Sequence, residues 1–272
     1  MWIVKMMRGK ILLLTLCICP YCGFAQNHNM DIFLEKYAAA QVKSLDEFMQ
    51  RFNAEEFHPD INYLEDENLR TRSLLTLFDW YEFNPEDSNV AYLLTDFADT
   101  VCWNDIHLDL ENQGTFAEVQ CLFEYNGQEI PINIVLVFEN IKEDYYKWAV
   151  AGVNGLKETG LLDTIRNGYL KPIQHEMHFS ELSKACATDL TRFVSVYKTI
   201  DQLSFFCGIH KSGQLRYLTN KQISFHFLQV PGFVFKVTRI KRIDYNSGFL
   251  ICSLIRMDND NKQKYIDNLL GL

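Results

Sequence analysis

Three small constellations in this sequence hold residue types that do chemistry. Cys19-Pro20-Tyr21-Cys22 has the spacing of a dithiol redox pair. Asp105 and His107 could serve as a general base and its partner. His175-Glu176-Met177-His178 sets two imidazoles three positions apart, neighbours on a helix surface that could share a metal ion. Each demands a particular setting. A redox cysteine needs a helix N-terminus, whose dipole lowers the thiol pKa. A base needs enough desolvation to work near neutral pH. A metal site needs further ligands, and neither an HExxH spacing nor an evident third ligand accompanies His175 and His178.

Position decides the first case. Lys5, Arg8 and Lys10 precede the apolar run Ile11-Leu12-Leu13-Leu14-Thr15-Leu16-Cys17-Ile18-Cys19, and the small-x-small tripeptide Gly23-Phe24-Ala25 follows it. A basic start, a short apolar core and a small-residue cleavage site read as a secretory signal peptide over residues 1–25. The run is too short for a permanent membrane anchor. Cleavage after Ala25 would leave Gln26 as the new N-terminus and discard the dithiol with the signal. The expectation is an exported protein, periplasmic or extracellular, with no membrane span once the signal is removed. The sequence holds no Asn-x-Ser/Thr sequon, which fits a bacterial export route.

Without the signal, 23 basic residues face 35 acidic ones, a balance of −12. Such a surface repels phosphate backbones, so nucleic acid is not an expected partner. Hydrophobic residues make up 48% of the chain, enough for a sizeable core rather than a disordered segment. Cys102, Cys121, Cys186, Cys207 and Cys252 are widely spaced, each in an apolar stretch. They fit neither a zinc spacing nor a disulfide scaffold and read as buried thiols, with one disulfide as the alternative. No Walker loop, GxGxxG or GxSxG occurs, and no cofactor is expected.

The elements that must position these residues follow from periodicity. Ser44 and Glu47 have capping-box spacing, and Leu45, Phe48, Met49 and Phe52 repeat as one helix face. A second helix is expected over 69–78. A third is capped by Asp87 or Ser88 and carries Val90, Leu93, Leu94, Phe97 and Val101. From Trp103 the period becomes two: Ile106, Leu108 and Leu110 alternate with Asp105, His107 and Asp109, which predicts a strand with its acidic side in water. Further strands are expected over 115–125, 130–138 and 145–153, the first two joined by an Asn126-Gly127 hairpin turn. Helices followed by an antiparallel meander predict an α+β domain.

The order of these patterns, the Asn126-Gly127 hairpin and the strand Tyr146-Lys147-Trp148-Ala149-Val150 resemble the NTF2-like, or cystatin-like, α+β cone. So does the helix Phe48-Met49-Gln50-Arg51-Phe52-Asn53, which is similar to that of uncharacterised secreted bacterial proteins given such folds. The resemblance implies N-terminal helices packed on a curved antiparallel sheet over residues 26–155. In dehydratase and isomerase members an Asp–His pair inside the cone acts as base and partner, the role Asp105 and His107 would take. The scaffold itself hosts enzymes, binders and assembly modules.

Gly155, Gly160, Gly168 and Pro172 punctuate a connector at 156–178. The stretch 179–272 then repeats helices before antiparallel strands: helices over 180–197 and 201–210, strands over 223–230, 233–243 and 249–257, and a terminal amphipathic helix. It reads either as a C-terminal α+β domain or as part of one extended core. Lys236, Arg239, Lys241 and Arg242 cluster on the last hairpin and are read as pairing with the protein's own carboxylates. Trp80, Tyr81, Trp103 and Tyr146 are the candidates for an aromatic ligand platform. The expected function is an exported, non-enzymatic binding or interaction protein for a small molecule or a protein partner. The alternative is a small-molecule lyase, isomerase or hydrolase using the cone pocket.

Overall fold

The computed structural model describes residues 41–55, 69–142, 145–157, 159, 161, 201–242 and 246–272. The expected signal segment, His175, His178, the helix expected over 180–197 and most of the expected connector lie outside them.

Local chemistry opens the helices where the sequence places them. At α1 (Leu45–Phe52) the Ser44 hydroxyl accepts from the Glu47 N–H at 3.1 Å. The Glu47 carboxylate reaches back one residue further than a capping box requires, to the Lys43 N–H at 2.7 Å. α2 (Leu69–Leu75) follows, and α3 (Ser88–Trp103) opens on Asp87, which accepts from the Asn89 N–H at 2.8 Å. Strands β1 (Thr115–Tyr125), β2 (Gln128–Lys142) and β3 (Tyr145–Asn154) come next. The β1–β2 turn has Asn126 at φ 51° and Gly127 at φ 77°, the left-handed pair of a type I′ hairpin. Helix α4 (Gln202–Lys211), strands β4 (Leu215–Phe227), β5 (Phe233–Ile240) and β6 (Gly248–Arg256), and helix α5 (Asn259–Leu270) complete the order.

Among the described residues the fold is α+β: five helices and one six-stranded antiparallel sheet ordered β3-β2-β1-β4-β5-β6. The strands on either side of the connector pair directly, from Thr115 opposite Phe227 to Tyr125 opposite Leu215. Three strands from each half therefore share one sheet.

The strand expected over 103–110 is not a strand. Helix α3 runs through Trp103, Asn104 caps it, and Asp105 follows in the left-handed region at φ 49°, which Asp tolerates better than most side chains. After it the Ile106 N–H donates to the Val101 carbonyl, and Leu108 and Asp109 are then held by side chains in place of a strand partner. The Asn53 amide donates to the Leu108 carbonyl at 2.9 Å and accepts from the Leu108 N–H at 2.7 Å. Arg70 donates to the Ile106 carbonyl, and Gln229 bonds the backbone of Asp109 and Asn112. The period-two alternation survives because Leu108 is buried while Asp105, His107 and Asp109 are exposed. Alternation reports an extended chain with one wet side, and a ladder is only one way to satisfy it.

The sheet is packed on both faces. On the inner face α1, α2 and α3 cover β4, β5 and β6 through Phe48, Phe52, Phe97, Phe227, Phe235 and Ile251. Helix α4 covers the far end of β1 and β2, with Phe206 edge-on to Phe123 at 5.4 Å. On the outer face α5 lays Tyr265, Ile266 and Leu269 over Phe116, Val135 and Val234. Gly152 of β3 permits this contact, since a Cβ there would stand 2.5 Å from the Leu270 carbonyl oxygen.

Register breaks bend the sheet. They fall between Gln120 and Cys121, Leu122 and Phe123, Val135 and Leu136, and Lys236 and Val237. Trp148 on β3 and Phe225 on β4 are separated by two other strands, a span of roughly 14 Å in a flat sheet. Their ring centroids are 6.1 Å apart. The sheet curls around its inner face.

Candidate functional site

Inside that curl a row of aromatic rings crosses the sheet. Phe138 and Trp148 are directly opposite on β2 and β3, and Asn140 opposite Tyr146 continues the same face. Tyr146 stacks flat on Phe138 at 5.4 Å and 8°, and Trp148 meets Phe138 edge-on at 5.3 Å. Trp148 then reaches Phe225, which in turn lies 6.3 Å from Phe249. Ala117, the β1 residue opposite both Leu136 and Phe225, is small enough to leave room for the indole between its neighbours.

These residues are placed unlike the core. Leu136, Phe138, Trp148, Val150 and Ile223 belong to none of the three hydrophobic clusters. Val150 is 49% exposed, Ile223 43% and Tyr146 39%. Phe225 and Phe249 lie half-buried against the α1–α3 core, and Val119 and Ile134 against the α4 core. The strip thus lies on the curled inner face between the α1–α3 core and the α4 core. A concave, mostly apolar wall with a few polar groups is what a small-molecule site requires.

The polar groups come from the 104–114 connection. The Tyr146 hydroxyl donates to the Glu111 carboxylate, with Asp109 nearby, and this hydrogen bond holds the phenol above its ordinary pKa. The Asp109 carboxylate is oriented by the Glu111 N–H at 2.8 Å.

The densest ionisable cluster lies on the other face. Glu118 on β1, His226 on β4 and Lys236 on β5 point outward under α5. His226 is 3% exposed; its Nδ1 is 2.6 Å from the Tyr265 hydroxyl and its Nε2 is 3.2 Å from Glu118 Oε2. A carboxylate only accepts, so Nε2–H donates to Glu118 and, in the neutral ring, Nδ1 accepts from Tyr265. Asn133 donates to Glu118 Oε1 at 2.9 Å, and the Lys236 ammonium lies 3.5 Å from Oε2. The His226 hydrogen bond, outweighing burial, keeps the Glu118 carboxyl below its usual range. Burial pushes the Tyr265 phenol up to about 12, with the Glu118 charge adding to it. Both imidazole nitrogens are committed to internal partners. The cluster ties α5 to three strands and leaves no basic nitrogen for a substrate.

Asp105 and His107 do meet, at 3.1 Å, but in the open: their side chains are 80% and 48% exposed. Arg70 takes the same Asp105 oxygen at 2.5 Å, and the hydrogen bonds from His107 and then Arg70 lower the Asp105 pKa. The pair terminates α3 and fastens it to α2.

No ring contact among the described residues joins any two of Trp80, Tyr81, Trp103 and Tyr146. Trp80 packs against the α1–α3 core. Tyr81 is exposed under the Arg242 guanidinium, 4.5 Å from its ring centroid, and Trp103 is 87% exposed at the end of α3. Only Tyr146 belongs to the aromatic strip. Lys236 and Arg242 pair with the protein's own carboxylates, Glu118 for one and Asp79 with Glu82 for the other. Cys102, Cys121, Cys207 and Cys252 are free thiols; Cys121 is buried and Cys207 exposed. Among the described residues no cluster of metal-ligating side chains occurs and no helix is long and apolar enough to cross a membrane.

The sequence reading missed Phe138, Trp148, Phe225 and Phe249 as a site, because curvature brings them together across strands that sequence spacing cannot rank. Glu118 and His226 left a fainter trace: each is an ionisable residue within an otherwise largely apolar stretch of strand. Comparison with known proteins finds no matching family model, no matching curated protein and no matching solved structure.

Proposed function

We propose that this chain is an exported, non-enzymatic binding protein that takes a small apolar or aromatic ligand in the concave aromatic strip of an NTF2-like cone. One observation carries the reading. Trp148 and Phe225 meet across two intervening strands, and although Phe225 and Phe249 lean on the α1–α3 core, Phe138 and Trp148 belong to no hydrophobic cluster and the row is open at Tyr146, Val150 and Ile223. The enzyme alternative needs a titratable pair within the recess. Asp105–His107 is a solvated helix terminus, and Glu118–His226–Tyr265 is a closed network on the opposite face. Nothing in either arrangement supports a lyase, isomerase or hydrolase.

The uncharged dye Nile red tests this. Its fluorescence should rise on binding, and Trp148→Ala should weaken the affinity about tenfold, since aromatic packing of a desolvated ring contributes on the order of 1 kcal/mol beyond its area. Tyr81→Ala and Trp103→Ala should bind like the parent protein. Dye binding that is indifferent to Trp148→Ala would refute the site.

A further inference from the structure

We infer that the aromatic strip selects an organic cation with an aromatic or apolar body, a conclusion that rests on the binding reading above. The argument is charge complementarity on a surface whose walls are π-faces. Tyr146, Phe138 and Trp148 form a stacked and edge-on group on β2 and β3. Rings so arranged offer quadrupole-negative faces, and a cation within about 6 Å of such a face is attracted electrostatically. Glu111 lies at the hydroxyl end of Tyr146, with Asp109 within electrostatic reach of the same phenol.

Neither carboxylate is in an ion pair among the described residues. The basic residues nearby are spoken for or aside. Lys147 alternates to the outer face, where it lies 3.7 Å from Glu139. Lys142, at the exposed end of β2, pairs with neither Asp109 nor Glu111 among the described residues. The chain as a whole carries a net charge of −9, so the wider field also favours a cation. Some carboxylates elsewhere are neutralised, among them Asp105 by Arg70, Glu118 by His226 and Lys236, and Asp79 by Arg242, while others such as Asp99 and Glu129 stand without an ion pair among the described residues. What distinguishes Asp109 and Glu111 is their place beside the phenol at the open end of an aromatic row, where a positive charge would meet both carboxylate and ring.

The test uses benzyltrimethylammonium, uncharged benzyl alcohol and benzoate on the mature chain, each titrated while the Trp148 indole resonance is followed by NMR. The cation should bind about tenfold more tightly than the alcohol, and benzoate more weakly than either, as cation–π attraction plus a facing carboxylate implies. Glu111→Gln combined with Asp109→Asn should bring the cation down to the affinity that the alcohol shows for the same variant. If the alcohol binds as well as the cation and the double variant changes neither, the cation inference falls while the binding site stands. If no probe moves the Trp148 resonance, the binding reading falls with it.

Discussion

Phe235→Ala should lower the stability of the protein by about 3–5 kcal/mol, the cost of emptying a fully buried phenylalanine site. This ring joins two strands and two helices. Phe235 stacks on Phe227 at 5.1 Å and 17°, on Phe52 of α1 at 5.7 Å and 9°, and meets Phe97 of α3 edge-on at 5.5 Å. Strand β5 and its neighbour β4 are thereby locked to two helices at once. The void could not close by a small shift, because Phe52, Phe97 and Phe227 are themselves held by further rings. For a chain of this size the change corresponds to roughly 2–4 °C of melting temperature per kcal/mol. Thermal unfolding followed by circular dichroism reads it directly. A drop of only a degree or two would show that the helices are not anchored through this ring. Phe235→Leu, which keeps most of the volume, should recover most of the loss.

The residues that make this core were legible because they repeat locally. Leu45, Phe48 and Phe52 mark α1 by spacing, and Ser44 and Asp87 mark the starts of α1 and α3 by capping chemistry, as the structure has them. The Asn126-Gly127 turn set the β1–β2 register from two letters. What spacing could not supply is which strands become neighbours. The β1–β4 pairing joins Thr115 to Phe227, more than a hundred positions apart, and the Trp148–Phe225 and Glu118–His226 contacts depend on it. The same limit misled the reading of 104–110. Its alternation was real, but the partners were Asn53 and Gln229 side chains that no pattern announces. Tyr146 is a candidate in the sequence only as one of several aromatics able to line a ligand platform. Trp148, two residues on, reads as part of a strand and no more, because only curvature makes its inward face a wall.

That outer-face cluster gives the second large effect, and its pH dependence has a definite direction. Tyr265→Phe removes the hydroxyl that donates to His226 Nδ1 and leaves a buried ring nitrogen without its partner, at a cost of about 1–3 kcal/mol near neutral pH. The phenol is raised to about 12 in the folded protein, against an unfolded value near 10. The folded state therefore keeps a proton that the unfolded chain gives up. The resulting stabilisation is complete below about pH 10 and is lost as the pH climbs from about 10 to 12. Glu118 works in the opposite sense. Its carboxyl is lowered from 4.5, so its contribution is complete above that value and fades as the pH falls through the folded pKa. Urea unfolding at a series of pH values separates the two ends. The parent protein should lose stability steeply above pH 10, and Tyr265→Phe should show a shallower alkaline limb with its acid limb intact. Glu118→Gln should flatten the acid limb instead, since Gln still accepts from His226 but no longer titrates. An alkaline limb equally steep in Tyr265→Phe would mean that the phenol is not the group coupling α5 to the sheet.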